Sequence, residues 1–196
     1  DVATTQTLDD GQGGTAQGFE TVVDGLGDFG IAIDSTGRPH LQGQNRFRYL
    51  QSGVRALRTT AQSINDSTTT VIAFNATDDF DTDGLHDTVT NNSRLTAAIA
   101  GKYFIYCFVD WAANATGVRI CRIEKNSAGT PTSANVIAGT YSLADATFLV
   151  NNNVACLASL AAGDHVEVIV FQTSGGALNA DGATQPLAFG MMYVGE

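Results

Sequence analysis

The densest run of potential ligands in this chain is Asp78-Asp79-Phe80-Asp81-Thr82-Asp83-Gly84-Leu85-His86-Asp87. No lysine or arginine lies between Arg58 and Arg94, so these carboxylates have no countercharge nearby in sequence. Asp79, Asp81, Asp83 and Gly84 match the opening of a calcium loop, in which alternate acids converge on a hard cation and glycine permits the sharp bend. The match then breaks. The twelfth position, where a bidentate Glu belongs, is Thr90. One reading is a calcium held by Asp79, Asp81 and Asp83. The other, which is preferred, is an acidic turn whose carboxylates accept backbone N–H groups. No helices flank the loop, and no second acidic cluster completes a cage.

Catalytic chemistry finds less to work with. His40, His86 and His165 are far apart in sequence, and none adjoins a cysteine. There is no G-x-S-x-G elbow, P-loop, H-E-x-x-H or C-x-x-C pair, which removes the common local signatures of nucleophilic, phosphoryl and zinc chemistry. His165 reads as a polar residue near a turn rather than as a base. Gly11-x-Gly13-x-x-Ala16 imitates a dinucleotide fingerprint, but that motif works only between a strand and a helix. Neither is expected around it. The expectation is a non-enzyme with no cofactor beyond the possible calcium.

Cys107, Cys121 and Cys156 sit inside apolar runs. They read as three buried, reduced thiols behaving as small hydrophobes, with a Cys107–Cys121 bridge between neighbouring strands as the alternative. N-x-[ST] sequons begin at Asn65, Asn75, Asn91 and Asn114. They carry meaning only for a secreted eukaryotic protein.

The 196 residues carry 20 acids against 10 Lys and Arg, a net charge of -10. Only Lys102 and Lys125 are lysines. Phosphate neutralisation needs clustered cations, so nucleic acid is excluded as a partner. Anionic membrane surfaces are disfavoured for the same reason. No apolar run approaches the roughly 18 residues of a membrane helix, and no basic-then-apolar leader is visible. No membrane insertion is expected.

These residues must be positioned by two unlike parts. Residues 1–50 are rich in glycine, with Asp and Thr and few large apolar side chains. Short extended pieces are expected at Thr21–Val23 and Ile31–Ile33, with turn-forming residues between Ile33 and Leu41. Such a segment suits an arm laid on a partner better than a core of its own. Residues 51–196 change to short β-type runs separated by polar turns. The runs are Val54–Arg58, Thr70–Phe74, Arg94–Ala97, Tyr103–Val109, Val118–Lys125, Phe148–Val150, Val154–Leu160, His165–Phe171 and Leu187–Val194. No segment sustains a helical stripe through two turns, so the class is all-β and the architecture a sandwich. In Tyr103–Val109, Phe104, Tyr106 and Phe108 share one face while Tyr103, Ile105, Cys107 and Val109 share the other. A strand apolar on both faces needs two covers, and the expected pair is the opposite sheet and a neighbouring subunit.

The order of motifs resembles the complement globular-head and tumour necrosis factor family. Arg94-Leu95-Thr96-Ala97-Ala98 precedes Gly101-Lys102-Tyr103-Phe104, then come Arg122-Ile123-Glu124-Lys125-Asn126, Leu157-Ala158-Ser159-Leu160-Ala161-Ala162-Gly163-Asp164-His165-Val166 and the closing Phe189-Gly190-Met191-Met192-Tyr193. The resemblance covers about residues 53–196. Ala98 stands where the family has proline, Ser127 where it has a turn glycine, and the terminal aromatic pattern is shortened. The resemblance implies a ten-stranded jelly roll with an extended N-terminal arm, assembled as a homotrimer. It places Tyr103, Phe104, Tyr106 and Phe108 of one strand at the trimer interface, with Phe189, Met191 and Tyr193 of the last.

The acidic stretch, with Asn91-Asn92-Ser93-Arg94 after it, is most similar to the version of this head found in bacteriophage virion proteins. That implies a non-catalytic structural protein exposed on the particle, as capsid decoration, head fibre or tail component. Residues 1–50 would dock to capsid or tail proteins. The absence of a collagen-type Gly-X-Y repeat speaks against a complement-like animal protein. The alternative is an adhesin whose head recognises a carbohydrate or protein receptor on the host surface. An enzyme such as a depolymerase is the least favoured reading.

Overall fold

The computed structural model describes residues 52–127 and 133–195, together with two short strands further towards the N-terminus. The chain divides into two compact units, Asp1–Tyr49 and Leu50–Glu196. In the first, β1 (Gly30–Ile33) and β2 (Pro39–Gln42) pair antiparallel, with Ile31 opposite Leu41. The extended piece expected at Thr21–Val23 lies outside the described residues, as does most of the arm.

The second unit is built from β3 (Gly53–Arg58), β4 (Gln62–Ile64), β5 (Thr70–Val71), β6 (Phe80–Asp81), β7 (Arg94–Thr96), β8 (Gly101–Trp111), β9 (Asn114–Lys125), β10 (Val136–Asp145), β11 (Val150–Leu160), β12 (His165–Gln172), β13 (Leu178–Ala180) and β14 (Leu187–Gly195). Two of these, β5 and β6, are two-residue pieces. All twelve take part in sheets, five in one and seven in the other. Among the described residues there is no α-helix, only a three-residue 3-10 turn at Ser133–Asn135.

The strands form two sheets. In one, β10, β9, β12 and β5 follow in order, with β7 also on β12. In the other, β8 is flanked by β11 along its whole length and by β14, which in turn carries β3 and then β6. Period-two alternation explains how the sheets close on each other. Val166, Val168 and Val170 of β12 and Cys121 and Ile123 of β9 face inward from one sheet. Tyr103, Ile105, Cys107, Val109 and Trp111 of β8, with Phe189 and Met191 of β14, face inward from the other. Phe74 completes the layer against Phe189, with ring centroids 5.4 Å apart.

Polar pins hold the ends of the sandwich. Trp111 donates its indole N–H to Asn152 at 2.9 Å, and Asn152 passes a hydrogen bond to Ser142 of the opposite sheet at 2.8 Å. At the other end the buried Glu167 carboxylate accepts Ser93 (2.7 Å), Ser127 (2.8 Å) and Arg94 (3.2 Å). Asn126 supplies the positive φ of the turn after β9, at 52°. This explains why Ser127 can replace a turn glycine: its neighbour takes the left-handed conformation, which Asn tolerates, while its own hydroxyl serves Glu167.

Candidate functional site

The alternation that buries one face of β8 turns Phe104, Tyr106 and Phe108 outward. They form a ladder along the strand, with centroids 6.0 Å apart between Phe104 and Tyr106 and 5.6 Å between Tyr106 and Phe108. Register extends the ladder into rows across the sheet. Phe104 lies between Leu157 of β11 and Met192 of β14, Tyr106 between Ala155 and Gly190, and Phe108 between Asn153 and Ala188. Arg55 of β3 lies beyond Gly190 in the middle row. A groove of about 450 Å³ runs along this face, lined by Arg55, Phe104, Tyr106, Phe108, Asn153 and Ala155. Phe104 and Phe108 remain 39% and 42% exposed.

Polar groups frame the groove without making a reactive centre. Arg55 is held by Asp79 at 2.8 Å on the rim. Burial pushes the Tyr106 phenol above its ordinary value, an effect that nearby Arg55 opposes. The phenol therefore stays a neutral hydrogen-bonding group. The face can bind or pack, but nothing on it is poised to attack or transfer a proton.

A second apolar surface lies at one edge of the sandwich, where β10 and β11 pack against each other. On β10 the usual pattern is inverted: small Thr140 and Ser142 face inward, while Tyr141 and Leu143 face out, each 74% exposed. Phe148, between β10 and β11, is 71% exposed, whereas Leu157, 70% exposed, belongs to the Phe104 row. Tyr141, Leu143 and Phe148, all within residues 141–148, exceed the scattered exposure normal for a monomer.

The residues expected at the interface therefore divide. Phe104, Tyr106 and Phe108 share an open face. Tyr103, Phe189 and Met191 do not: all three are 0% exposed within the single chain. They belong to its own core, because odd positions of β8 and alternate positions of β14 point at the opposite sheet. Tyr193 is half-buried and packs edge-on against Tyr103 at 5.5 Å. Tyr141, Leu143 and Phe148 were absent from the expected set. Their signal was available as Tyr141 and Leu143 at period two, but amid Gly, Ala, Thr and Ser the segment did not read as a strand.

The three aspartates of the calcium reading point to different tasks. Asp79 is paired with Arg55. Asp81 accepts the backbone N–H groups of Asp83 (3.3 Å), Leu85 (3.0 Å) and His86 (3.0 Å). Asp83 is exposed. Neighbouring Asp78 holds the buried His86 ring at 2.9 Å, whose other nitrogen meets the Asn92 carbonyl at 3.2 Å. The loop is organised by its carboxylates accepting hydrogen bonds, and no group of three His, Cys, Asp or Glu able to hold a metal occurs among the described residues. His165 lies at the start of β12 beside the Asn126 turn, 3.9 Å from Glu167; the side chain of His40 lies outside the described residues.

No protein-family model matches the sequence, and no curated protein matches it. Solved structures do. Murine APRIL superposes with a TM-score of 0.54 at 11% identity, over 74% of this chain and 99% of that one. The globular domain of zebrafish complement 1qA gives 0.51 at 13% identity, over 74% and 97%. Eiger TNF from S. frugiperda gives 0.53 at 11%, over 74% and 94%. The fold is the jelly roll of these heads. At such identities the likeness extends to the fold alone, and the aromatic face and the β10–β11 edge are features of this chain's own residues.

Proposed function

We propose that this chain is a non-catalytic structural protein of a bacteriophage virion, whose head assembles as a homotrimer and whose N-terminal residues 1–50 join it to capsid or tail. The observation that carries the assembly is the pair of uncovered apolar surfaces on one head, the Phe104–Tyr106–Phe108 face and the Tyr141–Leu143–Phe148 edge. Two different patches on one molecule make a head-to-tail contact, and such contacts close into rings when the rotation permits. A jelly roll of the tumour necrosis factor type supports a ring of three. The virion setting is supported by the similarity of the Asp78–Asp87 stretch to phage versions of the head and by the glycine-rich arm.

Sedimentation of the purified chain should give three times 20.5 kDa, and imaging of particles carrying a labelled copy should place it at the capsid surface or tail. A monomer at micromolar concentration would sink the assembly; a particle of normal composition lacking the chain would sink the virion role.

A further inference from the structure

We propose that Cys107 and Cys121 form the site of a disulfide that fastens the two sheets of the head to each other. Cys107 lies on β8 of the larger sheet and Cys121 on β9 of the smaller one. Both are 0% exposed, and their Sγ atoms are 3.5 Å apart. The contact therefore crosses the core rather than running within a sheet. A disulfide brings its sulfurs to about 2.05 Å, with strict limits on how the two Cβ atoms approach. The two sulfurs already lie in contact across the core, within about 1.5 Å of bonding distance. Cys156 is half-buried on β11, in the same sheet as Cys107, and would make no link between sheets.

The native, reduced head resists this reaction. The Cys121 thiol is held well above its ordinary pKa, first by its hydrogen bond with Cys107 and then by burial, so the reactive thiolate is scarce. Cross-linking thus belongs to folding, or to an opened core, in the presence of a small-molecule disulfide such as oxidised glutathione. One protein thiolate attacks that reagent, breaks its S–S bond and becomes a mixed disulfide, releasing one glutathione thiolate. The second protein thiolate then attacks the protein-bound sulfur and releases the other. Two protein thiols lose two electrons and two protons, and one glutathione disulfide becomes two thiols. The product closes a loop between residues 14 apart in sequence, constraining the unfolded chain.

The test refolds the full-length chain from denaturant in a mixture of reduced and oxidised glutathione, followed by intact mass and peptide mapping. The expected product is lighter than the reduced chain by about 2 Da, the two hydrogens lost to the reagent. It carries a Cys107–Cys121 linked peptide and melts several degrees higher. Cys156→Ser should cross-link as the parent does, and Cys121→Ser should not. A chain that keeps its reduced mass, or one that links through Cys156, overturns the pairing. A Cys107–Cys121 product that melts below the reduced head overturns its role as a fastening.

Discussion

The ring of Tyr106 occupies the space that a side chain at Gly190 would need: a Cβ there would stand 2.3 Å from Tyr106 Cε1 and Cζ. The two residues are opposite each other in the β8–β14 register. The missing side chain on β14 is what lets the middle rung of the aromatic ladder lie down across the sheet towards Arg55.

Gly190→Ala should accordingly alter the face without breaking the fold. The atoms it displaces are the far end of a half-exposed side chain, which can swing aside. The contrast is Gly117, whose φ is +79° and where a Cβ would fall 1.7 Å from the Thr173 carbonyl oxygen. Backbone cannot swing aside. Far-ultraviolet circular dichroism and sedimentation together should show Gly190→Ala folded but with weakened self-association, and Gly117→Ala strongly destabilised. Equal loss of fold in both would contradict the distinction.

Charge placed on either uncovered surface should block assembly. Phe108→Asp and Leu143→Asp each alter a side chain with substantial exposure, 42% and 74%, so the isolated head should stay folded. Each variant alone should sediment at monomer mass. Retention of the trimer by both would mean that neither surface is the contact.

Asp164 makes the acid stability of the head predictable. Hydrogen bonds from Lys125, Asn126 and the Ala161 N–H hold its pKa down, from 3.8 to about 2. A carboxylate with a depressed folded-state pKa contributes stability that is present above the unfolded value and is lost as pH falls through the folded one. Melting temperature should therefore decline between about pH 4 and pH 2. Asp164→Asn should lower the melt at neutral pH and flatten that part of the profile. An unchanged slope in the variant would assign acid sensitivity elsewhere.

How much of this was visible beforehand follows from where large side chains point. β8, β9, β12 and β14 each put bulky apolar residues on the inward face, and period two revealed them. β8 and β14 also showed which face was which, but not that Tyr103, Phe189 and Met191 would be consumed by their own core; aromatic content alone does not separate a core strand from an interface. β10 hid because Tyr141 and Leu143 face solvent while the positions that alternate with them are Thr, Ser and Ala. β13 and β6 hid because three- and two-residue strands are defined by partners, not by a pattern of their own. The acidic loop was legible as a turn once Thr90 had removed the calcium ligand, though the Arg55–Asp79 pair joins residues 24 apart and has no local signal.

Calcium should leave the head indifferent. Asp81 is occupied in holding three backbone N–H groups of its own loop, and Asp79 in holding Arg55. The melting temperature should be the same with millimolar calcium and with excess chelator, whereas Asp81→Asn should lower it in both. A calcium-dependent rise abolished by Asp81→Asn would reinstate the metal site, since an ion that binds only the native state must stabilise it.

The Trp111–Asn152 pin should be costly to break from one side. Asn152→Leu leaves the buried indole N–H without its acceptor and Ser142 without its donor. An unsatisfied buried polar group costs about 1–3 kcal/mol, which urea unfolding resolves as a lower midpoint with an unchanged slope. A midpoint equal to the parent's would mean that water takes over the role of Asn152.

The position of β14 sets a condition on how the head can be made. This strand, near the end of the chain, lies in the middle of its sheet, pairing with β8 on one side and with β3 on the other. Gly53 is matched with Met192, and Arg58 with Leu187. Until residues beyond 187 have left the ribosome, β3 and β8 have no strand to join them, and the core face formed by Phe189 and Met191 is missing. The nascent chain must therefore wait with its earlier strands unclosed until β14 has been made, and the closure is slow, as distant pairings are. During that interval the unpaired edges of β3 and β8 and their apolar faces are open to the wrong partners.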